Sequence, residues 1–439
     1  MLPSTGEPSM KLLQFNDLLI SFTSEFLPLW NDKGSGAHKA VGLWRPSTAS
    51  DALRPFFTLG DIAVDHYRNI NHGNVVAVVS DANNVDGTAL RAPVDYQLVW
   101  QDEGTGALSN ASIWRPLPPE GYVAMGLVYG VDYDKPSRHA VRCVRKDLVM
   151  AAQTGELIWD DKGSGATNDL SLWSVTPPNA PAGEIYLAPG TFIGHGDYAK
   201  PSLEAYSLRL TLTAQLHDLP PPPALSGYES PGNDESVHAP QVCELPWFCV
   251  KDPELAVIEQ FQASPTYRLE RTDRHLCVGF GHNTEATSQP FMWTAAKGEV
   301  SGTAKALAAN TSIGLGKEWP VGEHVFELSF SAHLDRDFTH TQRSAKGWDQ
   351  ASSLEIITYV PPKKAVAAYL VQSEYRLLRQ DGSQVSSTAS YTNGDNIYMS
   401  DYPNAEVLPD EQPPLVEAPQ AEPELEVTGH DLIDTTLTP

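Results

Sequence analysis

The chain has 439 residues, 41% of them hydrophobic, and a formal net charge of −25. That length predicts two or three domains with real cores. The acidic balance excludes nucleic acid as a partner, because phosphate binding needs a basic footprint, and it excludes simple electrostatic docking on anionic lipid.

The opening stretch MLPSTGEPSMKLLQFNDLLISF makes a poor secretory signal, since Asn16 and Asp17 break its apolar run and no small-residue cleavage site follows. No run of about 18 apolar residues exists to form a membrane-spanning helix. The expectation is a soluble protein, released without a signal peptide.

From Trp30 the phrase WNDKGSGAHKAVGLW begins, and it returns as WQDEGTGALSNASIW from Trp100 and WDDKGSGATNDLSLW from Trp159. Each copy reads W-x-D-x-G-[ST]-G-A and ends on a second tryptophan, at Trp44, Trp114 and Trp173. The first tryptophan closes an apolar strand, the Asp and two glycines supply turn chemistry, and the second tryptophan opens the return strand. Two copies continue as Trp-Arg-Pro, at Trp44–Pro46 and Trp114–Pro116, whereas Ser174 and Val175 follow Trp173. A further echo links DYDKPS (132–137) with DYAKPS (197–202). Three similar β units that cannot each bury a face alone predict packing about a pseudo-three-fold axis. A β-prism over residues 11–215 fits units of this length, with a β-trefoil as the alternative.

Two readings of the repeated loops stand side by side. Asp32, Gly34, Asp102, Gly104, Asp161 and Gly163 could form three equivalent ligand sites, with tryptophan faces as stacking platforms for sugar rings. Alternatively the tryptophans are core anchors and Asp-x-Gly only makes the turn. One Asp per loop falls short of the six to eight oxygens that calcium prefers, so no metal is expected. These phrases resemble the vacuolar protein sorting-associated protein 62 family of β-rich domains, whose name implies trafficking.

Residues 216–240 carry four consecutive prolines followed by Gly, Ser and acids, which reads as a stiff, exposed linker. The second folded region spans 241–402. Its short β-branched and aromatic runs predict strands, so the whole chain reads as all-β. Within it, FELSFSAHLD (326–335) alternates strictly: Phe326, Leu328, Phe330, Ala332 and Leu334 share one face. TAKALAANTSIGL (303–315) places Leu307, Ala309, Ile313 and Leu315 on alternate positions, although propensity alone would also allow a helix. GKEWPVG (316–322), with Trp319, lies between them as a turn. Together they read as a hairpin whose arms reach the roughly 9–11 residues that a membrane strand needs. A single hairpin satisfies its backbone in lipid only as part of a closed multi-chain barrel, so insertion implies a ring of identical subunits. An ordinary sandwich strand with one buried face is the alternative.

The order of features from Asn283 to Tyr402 is similar to aerolysin and epsilon-toxin-type β-pore-forming toxins. NTEATSQPFMW (283–293) stands before the insertion segment, KEWPVGEH (317–324) at its tip, and YVPPKK (359–364) after a Ser/Thr-bearing strand. The resemblance implies an elongated pore-forming domain, with the prism as a targeting module for a cell-surface glycan or receptor. The target membrane and further copies of the chain are then partners. A non-lytic lectin-like or trafficking adaptor is the rival expectation.

After Tyr402 the tail holds nine Asp or Glu and no Lys or Arg, and is expected to stay disordered. Cys243 and Cys249 could bridge or sit as small buried apolar groups. No nucleophile elbow, zinc-protease motif or phosphate loop is present, so neither an enzyme nor a cofactor is expected.

Overall fold

The computed structural model describes residues 12–82, 88–219, 221–232, 239–300, 302–315, 323–325, 328–339, 348 and 350–404. The acidic tail from 405 therefore lies outside the described residues.

The amino-terminal half is a β-prism of three units. In the first unit β1 (Phe26–Asn31), β2 (Gly42–Pro46) and β3 (Ile62–Val64) form one antiparallel sheet. In the second unit β4 (Asp95–Gln101), β5 (Ala111–Leu117) and β6 (Val128–Val131) repeat it. The third runs through β7 (Val149–Asp160), β8 (Ser171–Thr176), β9 (Glu184–Leu187), β10 (Ile193–His195) and β11 (Ala205–Thr211). Here β7, β8 and β10 make the equivalent sheet, and β7 continues into β11 and β9.

The repeated tryptophans explain the closure. In every unit the ladder between the first two strands shifts register just before the first tryptophan, at Pro28/Trp30, Leu98/Trp100 and Leu157/Trp159. A bulge re-aims the next side chain, and here it turns all three indoles to the axis. Trp30, Trp100 and Trp159 meet edge to face, with ring centroids 6.1, 6.2 and 6.5 Å apart. Each indole N–H donates to a carbonyl of the next unit: Trp30 to Ser109, Trp100 to Asn168 and Trp159 to Lys39, at 2.8–2.9 Å. The second tryptophans, Trp44, Trp114 and Trp173, anchor three separate outer clusters.

The carboxy-terminal half is built on a second antiparallel sheet. Its strands are β12 (Gln241–Pro246), β13 (Thr266–His282), β14 (Gln289–Glu299), β16 (Ser352–Val360), β17 (Ala365–Leu378) and β18 (Ala389–Tyr402), in the spatial order β12-β13-β17-β18-β14-β16. Between β14 and β16 the chain leaves this sheet, forming helix α2 (Thr303–Thr311) and strand β15 (Leu328–His333). A shorter helix, α1 (Val257–Ala263), follows β12. The β14–β16 ribbon lies over β13, where Trp293 and Phe291 stack on the backbone of Gly279 and Gly281. A Cβ at those glycines would come within 2.2 and 2.5 Å of the two rings.

The two halves share one hydrophobic core. Phe22 of the prism meets Trp247 and Phe248 at 5.3 and 5.6 Å, and Phe248 meets Phe330 at 5.5 Å. The proline-rich segment is docked rather than exposed throughout. Leu225 is buried against Ala365, Ala367 and Tyr369, and Tyr228 stacks on His282 at 4.5 Å. These two apolar residues inside the polar stretch hold it down. All four cysteines are free thiols, and Cys143, Cys243 and Cys249 are buried.

The tryptophan triangle predicts a large, cooperative loss on truncation. Trp100→Ala should lower unfolding stability by about 3–5 kcal/mol, read as a fall in the urea midpoint with unchanged transition slope.

Candidate functional site

Three loops meet at one end of the prism. In each, the Asp side chain turns inward and accepts the backbone N–H nine residues on: Asp32 from Val41, Asp102 from Ala111 and Asp161 from Leu170, at 2.8–3.0 Å. All three carboxylates are almost completely buried. Burial pushes the Asp161 carboxyl up, against the pull of its bond from Leu170. Gly34, Gly104 and Gly163 follow with φ of +87, +90 and +91°, a region that favours glycine. The loops interlock around the axis. Lys33 O accepts Leu108 N–H, Glu103 O accepts Thr167 N–H and Lys162 O accepts His38 N–H, at 2.8–3.1 Å. A Cβ on Gly34 would stand 2.7 Å from Gly106 O, and one on Gly104 3.0 Å from Gly165 O.

Of the two readings of the loops, this geometry favours core tryptophans with Asp-x-Gly making the turn over ligand sites at Asp32, Gly34, Asp102, Gly104, Asp161 and Gly163 with tryptophan platforms. The carboxylates are committed to their own loops, and the first tryptophans fill the axis. Among the described residues no group of three or more His, Cys, Asp or Glu could hold a metal ion.

Three tyrosines are among the residues that face outward at this end. Tyr67 and Tyr133 are exposed, and Tyr198 is half-buried. Burial of its hydroxyl end and the Asp32 carboxylate beside it push the Tyr67 phenol up to about 12. The same causes raise Tyr133 beside Asp102 and Tyr198 beside Asp169 and Asp161. Lys33 lies over the Tyr67 ring at 4.9 Å and Lys162 over Tyr198 at 4.5 Å. Each loop thus carries a tyrosine beside its Asp, and Tyr198 Oη donates to the exposed Asp169 carboxylate at 2.8 Å. The sequence signal for Tyr133 and Tyr198 is the echo DYDKPS/DYAKPS.

The segment read as a membrane hairpin is stored differently from a pair of strands. Its first arm is helical, as α2, because Ala-rich sequence favours helix over a strand of small residues. Leu307 on that helix and Ile313 and Leu315 after it are buried, while Ala309 is exposed. The second arm is a strand, β15, with Leu328 and Phe330 buried in it and Leu334 buried just after its end. Trp319 and Phe326 lie outside the described residues. The polar face of β15 is buried too: Ser329 and Ser331 are under cover, and Ser331 Oγ accepts the Ala180 N–H at 2.9 Å. The strand is sandwiched because it completes a prism sheet. It pairs antiparallel with β9, Ile185 opposite Ala332 and Leu187 opposite Phe330.

On the opposite side of β9, Arg209 of β11 grips Glu184 through two hydrogen bonds of 3.0 and 2.5 Å. That guanidinium holds the Glu184 carboxyl below the ordinary glutamate value of 4.5.

Three repeated three-stranded sheets closed around a tryptophan axis define a β-prism protein, here joined to a long antiparallel sheet. The chain belongs to the vacuolar protein sorting-associated protein 62 family, whose family model matches residues 2–221. Among solved structures, GNIP1Aa from Chromobacterium piscinae is 29% identical over 42% of this chain and 34% of its own, with a TM-score of 0.36. The present chain thus spans about a third of the length of GNIP1Aa. Cry35Ab1 is 11% identical over 89% of this chain and 91% of its own, with a TM-score of 0.33. No curated protein matches the chain. No helix among the described residues is long and apolar enough to cross a membrane, which says nothing of a β-barrel.

Two tests follow from the geometry. Asp102→Ala strands the buried Ala111 N–H and should cost about 1–3 kcal/mol of stability in chemical denaturation, rather than acting on binding alone. Glu184 has a folded-state pKa below its unfolded one, so its contribution is complete above about pH 4.5 and fades as pH falls through the folded value. Glu184→Gln should therefore lower the melting temperature at pH 7, and its difference from the parent protein should shrink at pH 3.

Proposed function

We propose that this protein binds a target-cell surface through the loop end of its prism and then forms a transmembrane β-barrel from the segment between β14 and β16. The observation that carries the reading is where that segment begins and ends. The strands on either side are neighbours in one antiparallel ribbon, with Lys297 opposite Ser352. Residues 298–351 can therefore straighten into a longer hairpin that continues an existing ladder, and each arm exceeds the roughly 9–11 residues of a membrane strand. The ribbon already carries an exposed apolar row: Met292 opposite Ile357, then Tyr359, exposed by 66, 60 and 71%.

The stored state is held firmly. Releasing Leu307, Ile313, Leu328, Phe330, Leu334 and Phe338 from the core costs on the order of 10 kcal/mol at about 1.5–3 kcal/mol per side chain. Such a barrier keeps the monomer closed until binding concentrates it, and burial in lipid and in the barrel then offsets the loss. Insertion demands closure by several copies, because no unpaired backbone is tolerated in hydrocarbon. The resemblance of the sequence from Asn283 to Tyr402 to aerolysin-type toxins in its order of features supports the same reading.

A second reading has its own support. The depth at which the segment is built into the shared core suits a non-lytic surface-binding or trafficking adaptor that never opens. Dye release separates the two. Ile185→Cys with Ala332→Cys places a disulfide across the β9–β15 pair. The oxidised protein should bind target membranes without releasing dye, and reduction should restore release. Release by the oxidised form, or none by the reduced and parental proteins on membranes they bind, overturns insertion of this segment.

A further inference from the structure

The pseudo-symmetry of the prism exposes a cation that lacks its counter-ion. In the first unit Arg45 Nε and Nη2 bond the two oxygens of Asp61 at 2.8 Å, and Nη2 also reaches Tyr129 O at 3.2 Å. Asp61 is fully buried and accepts the Tyr129 N–H at 2.7 Å as well. In the second unit Arg115 holds the same place in the Trp-Arg-Pro phrase. Its Nη2 makes the corresponding bond, to Gly194 O at 3.1 Å, Gly194 being the second residue of β10 as Tyr129 is of β6.

The acid is missing. Asp61 is the residue before β3, and the residue before β6 is Leu127. The backbone confirms the correspondence, since Asp61 N–H donates to Leu127 O and Leu127 N–H to Phe192 O, at 2.9 and 3.0 Å. An apolar side chain thus stands where the first unit places a carboxylate. Among the described residues Arg115 has no acidic partner, although the chain as a whole carries 55 Asp and Glu.

The space around it differs as well. Between the first and second units the cleft is filled, with the Arg142 guanidinium 3.9 Å from the Phe57 ring centroid and Thr58 Oγ1 donating to Ala140 O at 2.9 Å. Between the second and third units the corresponding cleft is open, about 510 Å³, with Arg115, Pro116, Tyr122, Lys146, Glu204 and Tyr206 on its walls.

We propose that this cleft binds an acidic saccharide, a sugar carrying a carboxylate or sulfate, with Arg115 as the anchor. The guanidinium offers a planar donor edge to the acidic group, and Lys146 adds positive charge. The tyrosine and proline faces suit the apolar side of a sugar ring, and Glu204 can accept from its hydroxyls. The volume lies in the range of small-ligand pockets, too large for an isolated anion. The strong net negative charge disfavours an extended polyanion, so a short acidic terminus fits best. Tyr67, Tyr133 and Tyr198 do not line this cleft, so the proposal adds a separate recognition site to the surface binding proposed above, and rests on that reading for its biological role.

Titration calorimetry of the full-length protein with the methyl glycosides of N-acetylneuraminic acid and glucuronic acid, with galactose 6-sulfate and with neutral methyl galactoside tests it. At least one acidic sugar should bind, with the neutral sugar about tenfold weaker or worse, and the carboxylate and sulfate arms identify the acid. Arg115→Gln should weaken binding about ten- to a hundredfold, as expected for a charge-assisted hydrogen bond, and Arg115→Lys should recover part of it. Leu127→Asp, which installs the first unit's internal acid, should also suppress binding. Because Leu127 is in the core, Arg115→Gln with an unchanged circular dichroism spectrum is the deciding variant. No acidic sugar binding up to about 10 mM, or equal binding by Arg115→Gln, overturns the site. Dye release scored on the same samples keeps the two ideas apart: sugar binding without release counts against the pore alone, and release without sugar binding against the cleft alone.

Discussion

An unpaired strand edge in a folded protein has to be covered, because its free N–H and C=O groups otherwise pair with whatever comes near. The outer edge of β9 is such an edge, and β15 covers it. Most of the architecture follows from that one pairing. The chain must leave the second sheet after β14 to reach the prism and return to begin β16. The apolar side chains it brings along, Leu328 and Phe330 among them, knit prism and sheet into a single core. The segment with the most to do in the proposed mechanism is thus also the seam that joins the two halves.

The prism itself is held by relations between units rather than within them. Indole donors, loop carbonyls and glycine contacts all reach from one unit to its neighbour in the same rotational sense. Against so regular a background the departures stand out. Arg45 has Asp61, Arg115 has Leu127, and the third unit has Ser174 in place of the arginine. A position freed from the symmetric packing is where chemistry specific to one cleft can be placed.

The three-fold prism was legible in the sequence because its determinants are local and repeated: a tryptophan before a turn, an Asp and glycines within it, a second tryptophan on the return. What the loops do was less so. Whether Asp102 points at a ligand or at the Ala111 amide depends on the direction of one side chain, which spacing does not encode. The bulges that swing Trp30, Trp100 and Trp159 inward leave no composition signature, so the indoles read equally well as surface platforms. Residues 303–315 satisfy the strand period and helix propensity together, and α2 results once the register of its neighbours is set. Strict alternation in FELSFSAHLD suggested one wet face. The serine face is dry where the Ala180 segment, more than 140 residues earlier in the chain, donates to Ser331 Oγ. The missing partner of Arg115 needed the alignment of Asp61 with Leu127, which only the strand starts reveal.

A ring of donors that runs from unit to unit and comes back to its origin has no first or last member. A stacked repeat array can gain or lose a module at its end; this one cannot. Dropping a unit leaves indoles and loop carbonyls on both flanks with nothing to meet, and a fourth would have to prise the tryptophan triangle open. The closed triangle therefore fixes the number of units at three, and variation is left to single copies, as at Arg45, Arg115 and Ser174.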